Sequence, residues 1–289
     1  MGSSGRDCRN APINEKLMKE KLYIIKIGGN IIDDEEKLTS FLISFAALKE
    51  KKILIHGGGK IATGLAKDLN IPQQQVDGRR ITDEATLKVV TMVYAGLINK
   101  KIVAYLQSLQ CNALGLCGAD GNVLLAHKRS ANNNGIDYGF VGDVDIVSSD
   151  AVQNLLTAFD TLVFAPITHD GKGQLLNTNA DTIAKEMAIG MSQLYDTTLI
   201  YCFEKNGVLM EKEDDNSVIP VIDSTSYQPL LNLKNNQGEP VITDGMLPKL
   251  SNAFATIEAG VGSVVIGHAL QLEKIVEGEA GTRIKSSAL

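Results

Sequence analysis

The chain has 289 residues, 44% hydrophobic and 21% charged, an ordinary globular composition long enough for one large domain or two coupled lobes. Its net charge of −6 and pI near 5.3 exclude a global basic field. Neither nucleic acid nor anionic membrane is therefore an expected partner, and any phosphate must be held by local lysines and backbone N–H groups.

Residues 1–17 lack the roughly 7–15-residue apolar core of a secretory signal and read as a tag or disordered leader, with Met18 as a natural start. The run Leu22-Tyr23-Ile24-Ile25-Lys26-Ile27 predicts a strand that ends at Gly28-Gly29-Asn30. Helical spacing of Leu38, Leu42 and Phe45 predicts a helix over 34–50. Ile53-Leu54-Ile55 predicts a second strand, ending at His56-Gly57-Gly58-Gly59 and followed by a helix to about residue 69. A strand, a glycine loop and a helix thus occur twice, the pattern of a parallel sheet covered on both faces.

Thr82 is the predicted cap of a long helix, with Asp83 and Glu84 favourable in its first turn. Leu87, Val90, Tyr94, Leu97, Ile98, Ile102, Tyr105 and Leu109 carry the apolar stripe onward, for about seven turns. That stripe reads equally as a core face or a dimer surface. Residues 112–147 predict short strands and turns, Ala151–Phe159 a helix, and Thr161–Ile167 a strand. Asn177-Thr178-Asn179-Ala180-Asp181 opens a helix that runs to about Met191. Thr197–Phe203 predicts a strand that starts a second lobe, which divides the chain into 18–192 and 193–289. Residues 204–243 read as hairpin and loop, 248–259 as helix, 263–266 as strand and 270–276 as helix. No uninterrupted apolar run approaches the roughly 18 residues of a membrane span. Cys8, Cys111, Cys117 and Cys202 form neither a C-x-x-C pair nor a zinc spacing, which predicts free thiols in a reducing, cytoplasmic setting.

Both glycine clusters follow strands, so both are expected at the C-terminal edge of the sheet, facing one crevice where the backbone can approach an anion. No G-x-x-x-x-G-K-[ST] motif occurs. Gly57 to Ala62 matches the loose dinucleotide pattern G-x-G-x-x-A, with Asp77 at a suitable distance. The segment Asn70–Gln75 does not read as the strand that pattern requires. Lys26 lies inside an apolar strand, where a lysine is costly to bury unless it meets an anion. Lys249 and Asp181 each stand near a helix start.

Five motifs occur in order: Lys26-x-Gly28-Gly29-Asn30, His56-Gly57-Gly58-Gly59, Asp77-Gly78-x-Arg80-x-Thr82, Asn177-x-Asn179-Ala180-Asp181 and Thr243-Asp244-Gly245-Met246-x-x-Lys249. In this order and at these separations the chain resembles the amino acid kinase family over about residues 20–284, and within it the branch that acts on acylglutamates. The resemblance implies a three-layer αβα sandwich with a central, mostly parallel sheet in two lobes. The first lobe would bind the acylglutamate and dimerise, and the second would bind ATP. It also implies transfer of the γ-phosphoryl of ATP to the γ-carboxylate of N-acetylglutamate, an acyl-phosphate step in arginine biosynthesis.

By the same resemblance Lys26 and Lys249 bind the transferring phosphoryl and the leaving side, and Asp181 holds both ammonium groups. Gly28 and Gly29 line the phosphate path, and Gly58 and Gly59 the reacting carboxylate. Arg80, not Arg79, grips the α-carboxylate through two parallel hydrogen bonds, with Asn177 at the same end. Mg2+ rides on the ATP phosphates, and no protein metal ligand is assigned. Phe203-Glu204 departs from the usual Thr-Asp pair of the nucleotide lobe. The ending Gly281-Thr282-Arg283-Ile284 resembles the dimeric relatives that arginine does not inhibit, so a homodimer through the 83–109 helix is expected. Two alternatives share the fold: the same chemistry on N-succinylglutamate, and a non-catalytic sensor of nucleotide or amino acid.

Overall fold

Alternation of side chains along one central strand organises the protein. In Lys21–Ile27 (β1), Leu22 and Ile24 point into one core, while Tyr23, Ile25 and Ile27 point into another. Both faces must therefore be covered by helices. This computed structural model describes residues 19–76, 79–132, 134–235, 238–242 and 246–287. The expected leader, Asp77-Gly78 and Thr243-Asp244-Gly245 lie outside the described residues.

Gly29–Ile32 (α1) and Glu35–Ala47 (α2) lead from β1 to Lys51–His56 (β2) and Gly59–Asp68 (α3). A hairpin of Gln74–Val76 (β3) and Arg79–Ile81 (β4) precedes a continuous helix over Glu84–Ser108. That helix is α-helical over Glu84–Thr91 (α4) and Asn99–Ser108 (α5), with a π-helical stretch over Met92–Ile98 between them. Ala113–Leu116 (β5), Leu124–Lys128 (β6), Val141–Val147 (β7), Ser149–Ala158 (α6), Thr161–Phe164 (β8), Ile167–His169 (β9) and Leu175–Thr178 (β10) follow. The chain then runs through Ala180–Met191 (α7), Asp196–Phe203 (β11), Val221–Asp223 (β12), Ser224–Leu231 (α8), Leu247–Glu258 (α9), Ser263–His268 (β13), Leu272–Glu277 (α10) and Thr282–Lys285 (β14).

One sheet crosses the molecule in the order β12-β14-β13-β11-β1-β2-β8-β5. The six strands from β13 to β5 run parallel, and β14 turns antiparallel against β13. Side chains of α2, α3, α5 and α10 pack on one face, and those of α6, α7 and α9 on the other. Three layers result, as the sequence implies. β1 lies between β2 and β11, so the chain winds away from it in both directions, the arrangement that opens a crevice at the strands' C-terminal ends. A small closed barrel of β10-β7-β6-β9 stands beside that crevice.

By length and composition the helix over Glu84–Ser108 would reach across a bilayer. Its apolar side is instead occupied within the protein, with Leu87, Val90, Val93, Ile98, Ile102 and Leu106 in the core.

Several local expectations change. The cap of the long helix is Asp83, whose carboxylate accepts from the Thr86 backbone N–H. Thr82 is fully buried and bonded elsewhere. The strand expected over 161–167 breaks at Ala165-Pro166, because proline brings no N–H to a ladder and the chain turns into β9 there. Within the segment read as strandless, Gln74–Val76 pairs with Arg79–Ile81 as a separate two-stranded sheet, not as part of a dinucleotide unit. The region read as hairpin and loop contains α8, started by a reciprocal cap between Asp223 and Ser226.

Candidate active site

The site begins with the face on which Lys26 emerges. It shares the parity of Leu22 and Ile24, so its side chain points toward α7, and it is only 8% exposed. The first turn of α7 supplies the counter-charge. Asn179 caps that helix by accepting from the N–H groups of Asp181 and Thr182. The Asp181 carboxylate then meets Lys26 Nζ at 2.7 Å. A methyl group added at Gly28 would lie 3.8 Å from the same ammonium, so the glycine turn after β1 closes directly over it.

Lys249, in the first turn of α9, reaches the same crevice. Its ammonium lies 3.9 Å from the centroid of the Phe203 ring, and Lys26 lies 5.8 Å from that ring. Burial holds the Lys249 ammonium below the usual lysine pKa; Asp181 opposes that shift and Lys26 adds to it. Among the described residues no ion pair joins Lys249 to Asp181; the aromatic face of Phe203 takes the ammonium instead. A cavity of about 300 Å3 is lined by Gly28, Gly29, Asn30, Phe203, Glu204 and Lys249, with others. Two ammonium groups, that of Lys26 nearly buried and that of Lys249 partly so, thus stand near one aromatic ring with Asp181 paired to the first.

The second glycine turn lies against the first. A methyl group on Gly57 would meet Gly29 N at 3.9 Å, and Lys60 Nζ donates to Asn30 Oδ1 at 2.8 Å across the two loops. Gly58 has φ +147°, and a Cβ there would come within 2.2 Å of Ile98 Cδ1 and 3.2 Å of Tyr94 Cδ1. Glycine is required on both counts. The π-helical stretch provides these neighbours, since its wider turn brings Tyr94 and Ile98 up to the loop.

A second cavity of about 210 Å3 is lined by Gly57, Gly58, Gly59, Arg79, Arg80 and Asn177, with others. The Arg80 guanidinium is fixed from behind: Nη2 donates to Gly59 O and to Thr63 Oγ1, both at 2.9 Å, and Nη1 donates to Gln73 Oε1. Asn177 donates to Thr82 Oγ1 at 3.0 Å, and that hydroxyl donates to Arg80 O. Arg80, Asn177, Gly58 and Gly59 therefore face one cavity, and Lys249, Gly28 and Gly29 the other, with the Lys26 ammonium behind the Gly28 turn. Gly57 and Gly29 are close enough that a Cβ on Gly57 would fill the space between them.

His56 supports the turn without joining the chemistry. It is fully buried, and burial pushes its pKa down to about 4. A neutral ring fits its partners: Nδ1–H donates to Gly57 O at 2.8 Å and Nε2 accepts from Asn99 Nδ2 at 3.3 Å. Cys202, on β11 opposite Ile27 of β1, is also inert, its thiol pushed up to about 12 by burial. Among the described residues no group of three His, Cys, Asp or Glu stands together as a metal cage.

Three neighbours were not singled out as site residues from the sequence. Phe203 was visible only as a departure from the family pattern. Tyr94 and Val141 carry no local signal, because a helix and a distant strand bring them to the cavity.

Residues 21–268 match the amino acid kinase family. The chain belongs to the amino acid kinase family. It is 56% identical to the acetylglutamate kinase of Cytophaga hutchinsonii over 258 residues, covering 89% of this chain and 94% of that protein. Against the acetylglutamate kinase of Bacteroides fragilis it is 51% identical over 271 residues, covering 94% and 99%. Among solved structures, the N-acetylglutamate synthase of Neisseria gonorrhoeae complexed with coenzyme A and N-acetyl-glutamate shares the fold, with a TM-score of 0.74 at 18% identity, over 94% of this chain and 61% of that one. The family match spans the strands and glycine turns that carry both cavities.

Proposed function

We propose that this chain is an ATP-dependent kinase of the γ-carboxylate of N-acetylglutamate. The observation that carries the reading is the Lys26–Asp181 ion pair at 2.7 Å beside the Phe203 ring that Lys249 also faces, next to a second cavity that holds an anchored arginine. The relatives named acetylglutamate kinase, similar over nearly their whole length, support the substrate.

A carboxylate is already a nucleophile, so the reaction needs no general base. Its difficulty is that one anion must approach another in line. Arg80 and Asn177 hold the α-carboxylate end of the substrate, which directs the γ-carboxylate toward the junction of the two glycine turns. The N–H groups of Gly28, Gly29, Gly58 and Gly59 line that junction. Lys26 neutralises charge on the moving phosphoryl group and Lys249 on the leaving oxygen, each aimed in advance at charge that grows in the transition state. Asp181 keeps Lys26 oriented. Lys249 leaves the Phe203 ring for the stronger attraction of the phosphates. Mg2+ would come on the ATP phosphates and would supply further neutralisation of their charge, since among the described residues no group of three His, Cys, Asp or Glu stands together to hold it.

Residues 18–192 form the acylglutamate lobe and 193–289 the nucleotide lobe in this reading, with the two sharing one sheet. The copies pair through the helix over Glu84–Ser108, whose Met92 and Leu97 are more than half exposed. Free Cys111, Cys117 and Cys202 suit a cytoplasmic setting. The purified protein should release ADP from MgATP only when N-acetylglutamate is added. ADP release that ignores the acylglutamate would contradict the reading.

A further inference from the structure

A line of buried polar groups runs from the long helix to the second glycine turn, through a core that is otherwise apolar. His56 ends β2 and shares the parity of Leu54, so its ring enters the face packed by Ile98 and Ile102. A leucine would fill that place with no bond to satisfy. The imidazole instead carries two polar nitrogens into full burial, and each must find a partner.

Both do, and the partners fix the hydrogens on the ring. Gly57 O can only accept, so the contact at 2.8 Å requires a hydrogen on Nδ1. Nε2 then keeps a lone pair, which accepts from Asn99 Nδ2 at 3.3 Å. Asn99 is itself fully buried and is held at both ends of its amide. Nδ2 donates to Val163 O at 2.9 Å, and Oδ1 accepts from Lys100 Nζ at 3.1 Å. The same ammonium donates to Gly115 O at 3.0 Å. Turning the amide over would set oxygen against oxygen at Val163 and an NH2 group against the ammonium at Lys100. Gly115 leaves room for the arrangement, since a Cβ there would lie 2.2 Å from Asn99 Oδ1.

The last bond of this line has a directional consequence. Gly57 O and the Gly58 N–H belong to one planar, trans peptide, so they point opposite ways. With the oxygen drawn inward to His56, the N–H is turned outward, to the side where Gly57, Gly58 and Gly59 line the cavity that holds Arg80. Among the described residues that N–H has no acceptor. Gly58, at φ +147°, has no side chain to hold the peptide plane, so the bond to His56 fixes it from within the core.

Resting on the kinase reading above, we propose that His56 and Asn99 are positioning residues, which lock the Gly57–Gly58 peptide so that the Gly58 N–H is presented to the reacting carboxylate. Neither touches substrate. Lys100 sets the amide of Asn99, Asn99 sets the tautomer of His56, and His56 sets the direction of one N–H donor. That donor holds the γ-carboxylate in line with the phosphoryl group, where a misplacement of about 1 Å can cost about 100-fold in rate.

Two amide substitutions separate the two bonds of the ring. His56→Asn carries its amide nitrogen close to the place of Nδ1 and can still donate to Gly57 O. His56→Gln carries its amide near the place of Nε2, which keeps the bond to Asn99 and loses the one to Gly57. With MgATP and N-acetyl-L-glutamate, kcat should stay within about threefold of wild type in His56→Asn and fall at least about tenfold in His56→Gln, with KM for MgATP unchanged in both. Asn99→Leu should fall with His56→Gln. Equal losses in the two amide variants, or a greater loss in His56→Asn, overturn the inference, because a ring that only fills the core would not distinguish them. The unsubstituted protein supplies a reading that needs no variant. In 15N NMR of histidine-labelled protein, the ring that stays neutral at pH 5 should carry its hydrogen on Nδ1. A hydrogen on Nε2 of that ring overturns the inference alone. A wild type that turns over no acylglutamate overturns the kinase reading, and the inference with it.

Discussion

The two buried cations and the buried histidine illustrate how the same apolar surroundings lead to opposite outcomes. Lys26 keeps its place inside because Asp181 stands 2.7 Å away. His56 has no such partner, so burial moves its pKa from 6.5 down to about 4 and leaves the ring neutral. Between those values the unfolded chain binds a proton on this histidine that the folded chain does not, so stability falls as pH drops through the window. The loss expected from His56 is about 2 kcal/mol at pH 5 and about 3 kcal/mol once complete. Urea unfolding at pH 7 and pH 5 measures it, and His56→Gln should flatten the difference; equal pH slopes for the two proteins would show that His56 is not responsible. At Arg80 the expectation is kinetic. Its guanidinium is held by three side-chain and backbone acceptors, so Arg80→Ala should raise KM for the acylglutamate by at least about tenfold, as loss of one partner in a charge-paired contact does. An unchanged KM removes Arg80 from the substrate site.

At the scale of elements, the strands and glycine turns were legible because period two and the rupture of that period by Gly-Gly are local signals. The long helix was legible as a stripe from Leu87 to Leu109, but its π-helical stretch was not. That widening seats Tyr94 and Ile98 against Gly58, a contact made by tertiary structure and unmarked in the helix's own sequence. The α8 helix was hidden by Pro229 within it and by the hydroxyl residues Ser224, Thr225 and Ser226 at its start, which also favour turns. Thr82 was the expected cap, with Asp83 placed in the first turn. The structure assigns it to Asp83 because Thr82 Oγ1 is spent between Arg80 O and Asn177. Asp83→Ala should therefore destabilise the protein by about 1 kcal/mol, the usual value of such a cap. A denaturation midpoint that does not move would show the cap to be dispensable.

Across the whole molecule, sequence motifs far apart in the chain become neighbours because β1 sits between β2 and β11. The motif after β1, the motif after β2 and the start of α7 all arrive at one edge of the sheet. Order along the chain indicated that they belonged together. It did not show that Phe203, not Asp181, would hold Lys249, since that depends on the ring at the end of β11 facing the same way as Lys26. The exposed Met92 and Leu97 on the long helix give the assembly its own test. Light scattering should report a dimer for the wild-type chain, and Leu97→Glu should shift it toward monomer, because a charge in an apolar interface is left unpaired. A wild type that is monomeric throughout contradicts pairing through this helix. The central claim, that two lysines and one aspartate move a phosphoryl group onto a carboxylate, is tested most directly by trapping the acyl phosphate with hydroxylamine. With MgATP and N-acetylglutamate the wild-type chain should yield the hydroxamate, and Lys26→Ala should form it at least ~100-fold more slowly, the usual effect of removing one preorganised donor. A Lys26→Ala protein that keeps half the wild-type rate, or a wild type that releases ADP without any hydroxamate, would contradict it.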